Sequence, residues 1–454
     1  RVSQRLYHVS MYFAAGSGII MAAIMALFAK RLAAGDPNVI PVVRSLAWAV
    51  LVIPALSISR GYLQGYNWMA PSAISQFVEQ LLRVAYILAS TFFVMRIGNH
   101  DWVLAVTQST FAAFIGAFGA IAVIAYAMFS RRKQMREMYE RSEPMKDVST
   151  ITLLISIIRQ SIPFVIVESA ITIFQLVDQY TFFPIMHAVG HYTNYQLNVV
   201  YALFSFNANK LYMIIISLAM ALAVTAIPLL AEARVKNDVA MMRHEIEQSL
   251  MLFYFVMIPA ALGLTAVAQP IYTVFYRYSQ AGTVVLEFAA FVSISLGLYT
   301  VVAALMQGIS ENKKIMKYLF IGLIIKIIIQ YPLIYLFRGL GPLLATGLCM
   351  LFISICVIHS FNMEFGLHFN QMAKPTNQIM AFSLIMFVCV KIVMSLIGLF
   401  VSPYGRYTAF FSLIPGVLVG VLVYGYLVLK SDLGDQFLGP RADVLRQRLH
   451  ITKR

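Results

Sequence analysis

The sequence predicts an all-α polytopic membrane protein, built as two pseudo-repeated helical lobes around a central cavity. Three observations carry this. Of its 454 residues, 60% are hydrophobic and 12% charged, with a mean hydropathy of +0.79, a balance foreign to soluble domains. Apolar stretches recur at the length of about 20 residues that a helix needs to cross a bilayer. The chain also repeats itself at an offset of 243 residues. Leu63-Gln64-Gly65 precedes Arg83 as Met306-Gln307-Gly308 precedes Lys326, Arg44 falls on Glu287, and the apolar run 9–29 falls on 252–272. Duplicated bundles in membranes are the usual architecture of transporters.

Twelve stretches are long enough to span: 9–29, 45–60, 72–95, 102–129, 151–180, 200–230, 248–268, 284–305, 315–337, 342–360, 377–400 and 407–429. None has the form of a cleaved signal peptide, and the chain opens at Arg1. The second copy of the repeat is preceded by two spans, 151–180 and 200–230, and the first by none. Equal halves would then need two further spans at the start, giving about fourteen in a complete protein. The expected organisation is an N-terminal lobe 1–130, a basic linker 131–149, a C-terminal lobe 150–360, two extra helices over 361–430 and a basic tail 431–454.

The net charge of +15 raises nucleic acid as a partner, but its placement excludes it. With the N-terminus inside, 22 of the 34 cations fall in inner segments, 7 in outer ones and 5 within spans. The positive-inside rule then puts both termini in the cytoplasm. The cluster 131–146, interleaved with Glu137, Glu140 and Glu143, reads as a solvated loop near anionic lipid. Cys349, Cys356 and Cys389 all fall in spans, without disulfide or metal spacing.

Ionisable groups in hydrocarbon are costly and usually face a cavity or a partner. Glu79 and Arg83 stand four apart on one helix face, in the favourable order for an ion pair. They read equally as a self-satisfied structural pair or as a cavity-lining pair that shares its arginine with an anion. Arg159 and Lys210 read either as interfacial snorkelling cations or as cavity cations. Lys210 is flanked by Asn207 and Asn209, Asp178 stands among Gln175 and Gln179, Lys326 is followed by Gln330, and Lys391 has no partner on its own helix. Arg83, Arg159, Lys210 and Lys326 together make a cationic interior suited to a phosphate headgroup. Asp178 and Gln330 are candidates for ion coupling. Prolines 54, 163, 228, 259, 332 and 415 predict kinked helices, and Gly416 with Gly420 predicts close helix contact.

No GxxxxGK[ST] loop, HExxH or GxSxG occurs, which argues against an ATP motor and against these enzyme classes. No cofactor is expected. An ion gradient, of Na+ or H+, or the membrane potential is the expected energy source. His187 and His191 alone make a poor zinc site, which wants further ligands.

The stretch Arg60-Gly61-Tyr62-Leu63-Gln64-Gly65-Tyr66-Asn67-Trp68-Met69-Ala70-Pro71, continuing through Ser75-Gln76 and Glu79-Gln80-Leu81-Leu82-Arg83-Val84, closely resembles one family. This is the Gram-positive branch of lipid-linked precursor exporters, the stage V sporulation B-like and MurJ-like lipid II flippases of the multidrug/oligosaccharidyl-lipid/polysaccharide exporter superfamily. The run Leu222 to Ala233 is similar to the end of that family's eighth helix, and the likeness covers essentially the whole chain. The resemblance implies fourteen helices in two lobes around a V-shaped cavity. The first span here would be helix three. It also implies flipping of an undecaprenyl-pyrophosphate-linked cell-wall precursor from the inner to the outer leaflet. The family's eighth-helix cation before a Leu-Tyr pair is matched by Lys210-Leu211-Tyr212, with lysine for arginine, and the preceding acid is replaced by Asn209. Its best-known substrate-binding arginines lie in the first two helices. Some members bind sodium between helices seven, eleven and twelve. Asp178 and Gln330 match parts of that site, while Ile334 stands where a second acid is expected.

The expectation is a lipid II flippase in a bacterial plasma membrane. Its partners would be the lipid-linked oligosaccharide, the bilayer and cell-wall synthesis proteins. A flippase for another lipid-linked polysaccharide is the nearest alternative. A drug/cation antiporter would want an acidic interior, a non-transporting scaffold would not want buried charges, and a membrane glycosyltransferase would want paired acids near the interface.

Overall fold

The computed structural model describes residues 2–33, 37–66, 68–98, 100–140, 149–402 and 404–449. Thirteen long helices are labelled here: α1 (Val2–Leu27), α2 (Ile40–Gly65), α3 (Met69–Phe92), α4 (Trp102–Ser130), α5 (Thr150–Glu168), α6 (Ala170–Val189), α7 (Asn209–Val235), α8 (Val239–Ala266), α9 (Gln280–Gly308), α10 (Asn312–Phe337), α11 (Gly341–Phe365), α12 (Phe369–Phe400) and α13 (Arg406–Lys430). No strand occurs among the described residues. In hydrocarbon a helix satisfies its own backbone, so apolar runs of this length have little alternative. The chain forms two compact units, Arg1–Gln160 and Ser161–Arg454.

Ten helical stretches are long and apolar enough to cross a membrane, and the bent pair Ser161–Glu168 with Ala170–Val189 adds an eleventh. One of the ten, Asn312–Phe365, folds back on itself. Lys314 bonds Glu364, Lys326 bonds Thr346, and Gly322 lies against Ile353, so α10 and α11 run antiparallel. Read as two crossings, that stretch brings the number to the expected twelve. The polar linker lies partly in a helix, Arg132–Glu140, while Arg141, Glu143, Pro144, Lys146 and Asp147 lie outside the described residues.

The 243-residue repeat is written into the helix bounds. α2 and α9 both end on Gln-Gly, and α3 and α10 begin 243 positions apart, at Met69 and Asn312. The two turns close on the same backbone bond. Trp68 N–H donates to the Leu63 carbonyl at 3.0 Å, and Glu311 N–H to the Met306 carbonyl at 2.9 Å. The glutamines differ: Gln64 donates to Ser72 at 2.9 Å, whereas Gln307 Nε2 is buried without a partner among the described residues.

Two breaks depart from the sequence expectation. The predicted span 151–180 is interrupted at Ser169 by a 54° bend and continues to Val189. The carbonyl of Val167, just before the bend, accepts from Tyr299 Oη at 2.9 Å. Non-helical backbone at membrane depth persists when buried protein groups satisfy it in this way. The predicted span 200–230 begins earlier, at Asn194, where Thr193 and Gln196 form a reciprocal capping box, and passes through a π-helical turn over Leu203–Ala208. Such turns often mark functional positions.

The tail is folded as far as Leu449; residues 450–454 lie outside the described ones. Two short helices, Asp432–Leu438 and Pro440–Leu449, turn back on α13. Arg446 is buried there, donating to the Leu429 and Ser431 carbonyls at 2.7 and 3.1 Å and pairing with Asp443 and Asp435. It satisfies carbonyls that α13 leaves open at its C-terminus.

Candidate functional site

In the N-terminal unit, Glu79 sits between two arginines. Its Oε1 accepts from Arg83 Nη2 at 3.1 Å and its Oε2 from Arg60 Nη2 at 2.9 Å. The Glu79–Arg83 pair was readable from the sequence; the second arginine was missed. Arg60 closes the predicted span 45–60, but α2 continues to Gly65 and keeps it on the helix. Two serines of α3 fix it: Arg60 Nε donates to Ser75 Oγ at 2.8 Å, and Ser75 Oγ donates to the Ser72 carbonyl. Close packing of α4 on α3 sets the position of the group. A Cβ on Gly116 would meet the Glu79 carbonyl at 2.6 Å, and one on Gly119 would meet Leu82 at 2.1 Å. The three charges sum to +1, and Arg83 Nε is buried with no partner among the described residues.

In the C-terminal unit, α6, α10 and α11 meet at a second polar group. Lys326, wholly buried, lies 2.8 Å from Asp178 Oδ1 and donates to Thr346 Oγ1. Gln330 Nε2 donates to Asp178 Oδ1 at 2.8 Å and to Thr181 Oγ1 at 3.2 Å, and its own carbonyl oxygen is buried and unpaired. Thr346 donates to Asp178 Oδ2 at 3.3 Å, and Lys326 Nζ stands 5.2 Å from the centre of the Phe174 ring. A cavity of about 20 Å3, the room of one water, adjoins the carboxylate and is walled by Gln175, Asn209 and Tyr212 among others. The sequence set Lys326 beside Arg83 by the repeat. The fold sets it with Asp178 and Gln330, the ion-coupling candidates, and both its ammonium and the Gln330 amide nitrogen bond the Asp178 carboxylate.

Arg159, in α5, is exposed, with no charged partner among the described residues. Lys210 is also exposed, while its neighbours turn inward: Asn207 donates to Tyr272 at 2.9 Å, Asn209 to Tyr212 at 3.0 Å, and Leu211 and Tyr212 are buried. Lys391 finds its partner on another helix, Glu287 of α9, at 3.3 Å. His187 bonds Asn194, and no group of three metal-ligating side chains occurs among the described residues.

An apolar groove of about 450 Å3 opens along α7, α8, α12 and α13, with Leu211, Ile214, Gly263, Met386, Gly416 and Val421 in its wall. Pro259 shapes it. A proline cannot donate to the carbonyl four residues back, and the Phe255 carbonyl instead accepts from Tyr424 Oη of α13 at 2.9 Å. Gly416 and Gly420 are buried where α13 passes Val267, Met394 and Val390, so their close contact lies within the chain. Lys210 is next in sequence to the groove residue Leu211 in α7, but it is not among the residues of the groove wall.

Residues 3–234 match the polysaccharide biosynthesis protein family. The lipid II flippase MurJ of Bacillus subtilis (strain 168) is 30% identical over 409 residues, 89% of this chain and 75% of that protein. An uncharacterized membrane protein of the same organism, YabM, is 35% identical over 92 residues, 20% of this chain and 17% of its own. A solved structure of lipid II flippase MurJ in an inward closed conformation matches with a TM-score of 0.60 at 15% identity, covering 95% of this chain and 84% of that one. An inward-facing multidrug resistance MATE transporter of the MOP superfamily matches with a TM-score of 0.56 at 14% identity, covering 81% and 80%. At these identities the structural matches speak for the fold.

Proposed function

Because the chain belongs to the lipid II flippase MurJ family of polysaccharide biosynthesis proteins, we propose that it flips an undecaprenyl-pyrophosphate-linked cell-wall precursor, lipid II, from the inner to the outer leaflet by alternating access. The carrying observation is the apolar groove along α7, α8, α12 and α13, with the exposed Lys210 next in sequence to its wall residue Leu211. A polyprenyl chain suits the groove, and an ammonium beside it suits the phosphate that terminates such a chain. Arg83 with Glu79, and Arg159, are further cationic positions of the N-terminal unit suited to an anionic headgroup. Asp178, Lys326 and Gln330 serve ion coupling: opening their contacts would loosen α6, α10 and α11 together. Both termini of the chain face the cytoplasm, and cell-wall synthesis proteins take the delivered precursor.

Complementation tests this. A bacterium depleted of its own lipid II flippase is made to express the full gene. Restored growth with externalised lipid II is the expected result. Failure despite good membrane expression would shift the substrate to another lipid-linked glycan, of capsule, teichoic acid or spore cortex.

A further inference from the structure

We propose that Arg60 and Arg83 form a two-armed phosphate clamp in which Glu79 is the resident competitor, holding the arms open for an incoming oxyanion. This deepens the transport reading above by naming a discrete headgroup site and adding Arg60 to it.

The geometry is that of a clamp rather than of a simple ion pair. The two guanidinium groups approach opposite oxygens of one carboxylate, at 2.9 and 3.1 Å, from two different helices. Two oxygens of a phosphate stand only slightly farther apart than those of a carboxylate, so arms set for one fit the other. Arginine forks are the side chains best matched to phosphate. The arms are preorganised: Ser75 holds Arg60 through Nε, and Gly116 lets α4 close on the backbone of Glu79 and on Cβ of Arg83. One donor is left over, the buried Nε of Arg83, which no described residue accepts. Buried donors without acceptors are rare and ask for an explanation. The excess charge of +1 asks for the same thing, since an unbalanced cation among membrane helices is costly. A phosphate or diphosphate group answers both, offering more acceptor oxygens and more charge than the carboxylate. Because Glu79 and the ligand would share the same donors, Glu79 weakens the resting affinity and helps expel the ligand after transport.

The sign of one substitution separates this from a structural role. In purified protein, binding is measured for undecaprenyl diphosphate, with undecaprenol as the uncharged control and inorganic pyrophosphate as the free anion. Glu79→Gln is expected to bind undecaprenyl diphosphate about tenfold more tightly, a change of about 1.4 kcal/mol, yet to turn over more slowly. Arg60→Gln is expected to bind it about tenfold more weakly. Unchanged or weaker binding by Glu79→Gln, in protein that elutes as a single folded species, overturns the competitor role. Should that variant fail to fold, Ser75→Ala decides: releasing Arg60 is expected to weaken binding severalfold, and unchanged affinity overturns the clamp. The two sources of phosphate separate as well. If pyrophosphate follows this pattern of variants and the lipid does not bind, the clamp stands and the lipid reading falls. If the lipid binds but no variant changes its affinity, the clamp falls and the lipid reading stands.

Discussion

Lys326 and Asp178, 148 positions apart in the chain, meet at 2.8 Å with the lysine wholly shielded from solvent. Each neutralises the other in the interior of the C-terminal unit. Removing one partner of a buried pair costs about 3–5 kcal/mol, because it strands a charge. Lys326→Met is therefore expected to destabilise the protein on that scale. Asp178→Asn added to Lys326→Met should recover most of the loss, since no charge is then left alone. Thermal unfolding of the three variants in one detergent checks this; a double variant no better than the single one would contradict the pairing.

Lys210→Ala and Arg83→Ala are each expected to lower export of the lipid-linked precursor at least tenfold without loss of folded protein. Lys210 is exposed and makes no structural bond among the described residues, so its loss should leave thermal stability within about 0.5 kcal/mol of the parent. Lys210→Arg should keep most of the activity, as the charge is retained. Surface accumulation of precursor in complemented cells is the readout, and normal export by both alanine variants would remove the cationic-site idea.

Filling the groove should block the lipid while leaving the fold. Val417 and Val421 line it and are 46% and 66% exposed, so a larger side chain there enters open space rather than the core. Val421→Trp is expected to reduce export severalfold with little change in unfolding temperature. An equally active variant would show that the apolar chain lies elsewhere.

The bend at Ser169 depends on one hydroxyl. Tyr299→Phe leaves the Val167 carbonyl without its acceptance bond, and a loss of about 1 kcal/mol is expected, as for hydrogen bonds within membrane bundles. Unfolding measurements on the single variant check it, and no loss would mean that the carbonyl finds another donor.

What could be read from the sequence follows from which forces are local. Membrane helices answer to the hydropathy of consecutive residues, so their number and approximate bounds were legible, and the Gln-Gly repeat even placed the turns before α3 and α10. Glu79 and Arg83 were legible because helical spacing alone brings them together. Arg60 was not, since its charge looked like the end of a span and its partner lies on the next helix. Nor were Asp178 with Lys326 and Glu287 with Lys391, whose meeting depends on tertiary packing that no periodicity reports. The break at Ser169 falls inside one predicted span, directly after Glu168 and six residues beyond Pro163.

The ammonium opposite Asp178 is covalently part of the protein. Its local concentration is therefore fixed at synthesis, and no dilution, chelator or change of medium can empty that position. Only movement of a helix or transfer of a proton can. Whatever inventory of ions a cell holds at a given moment, this charge arrives already in place with every copy of the chain.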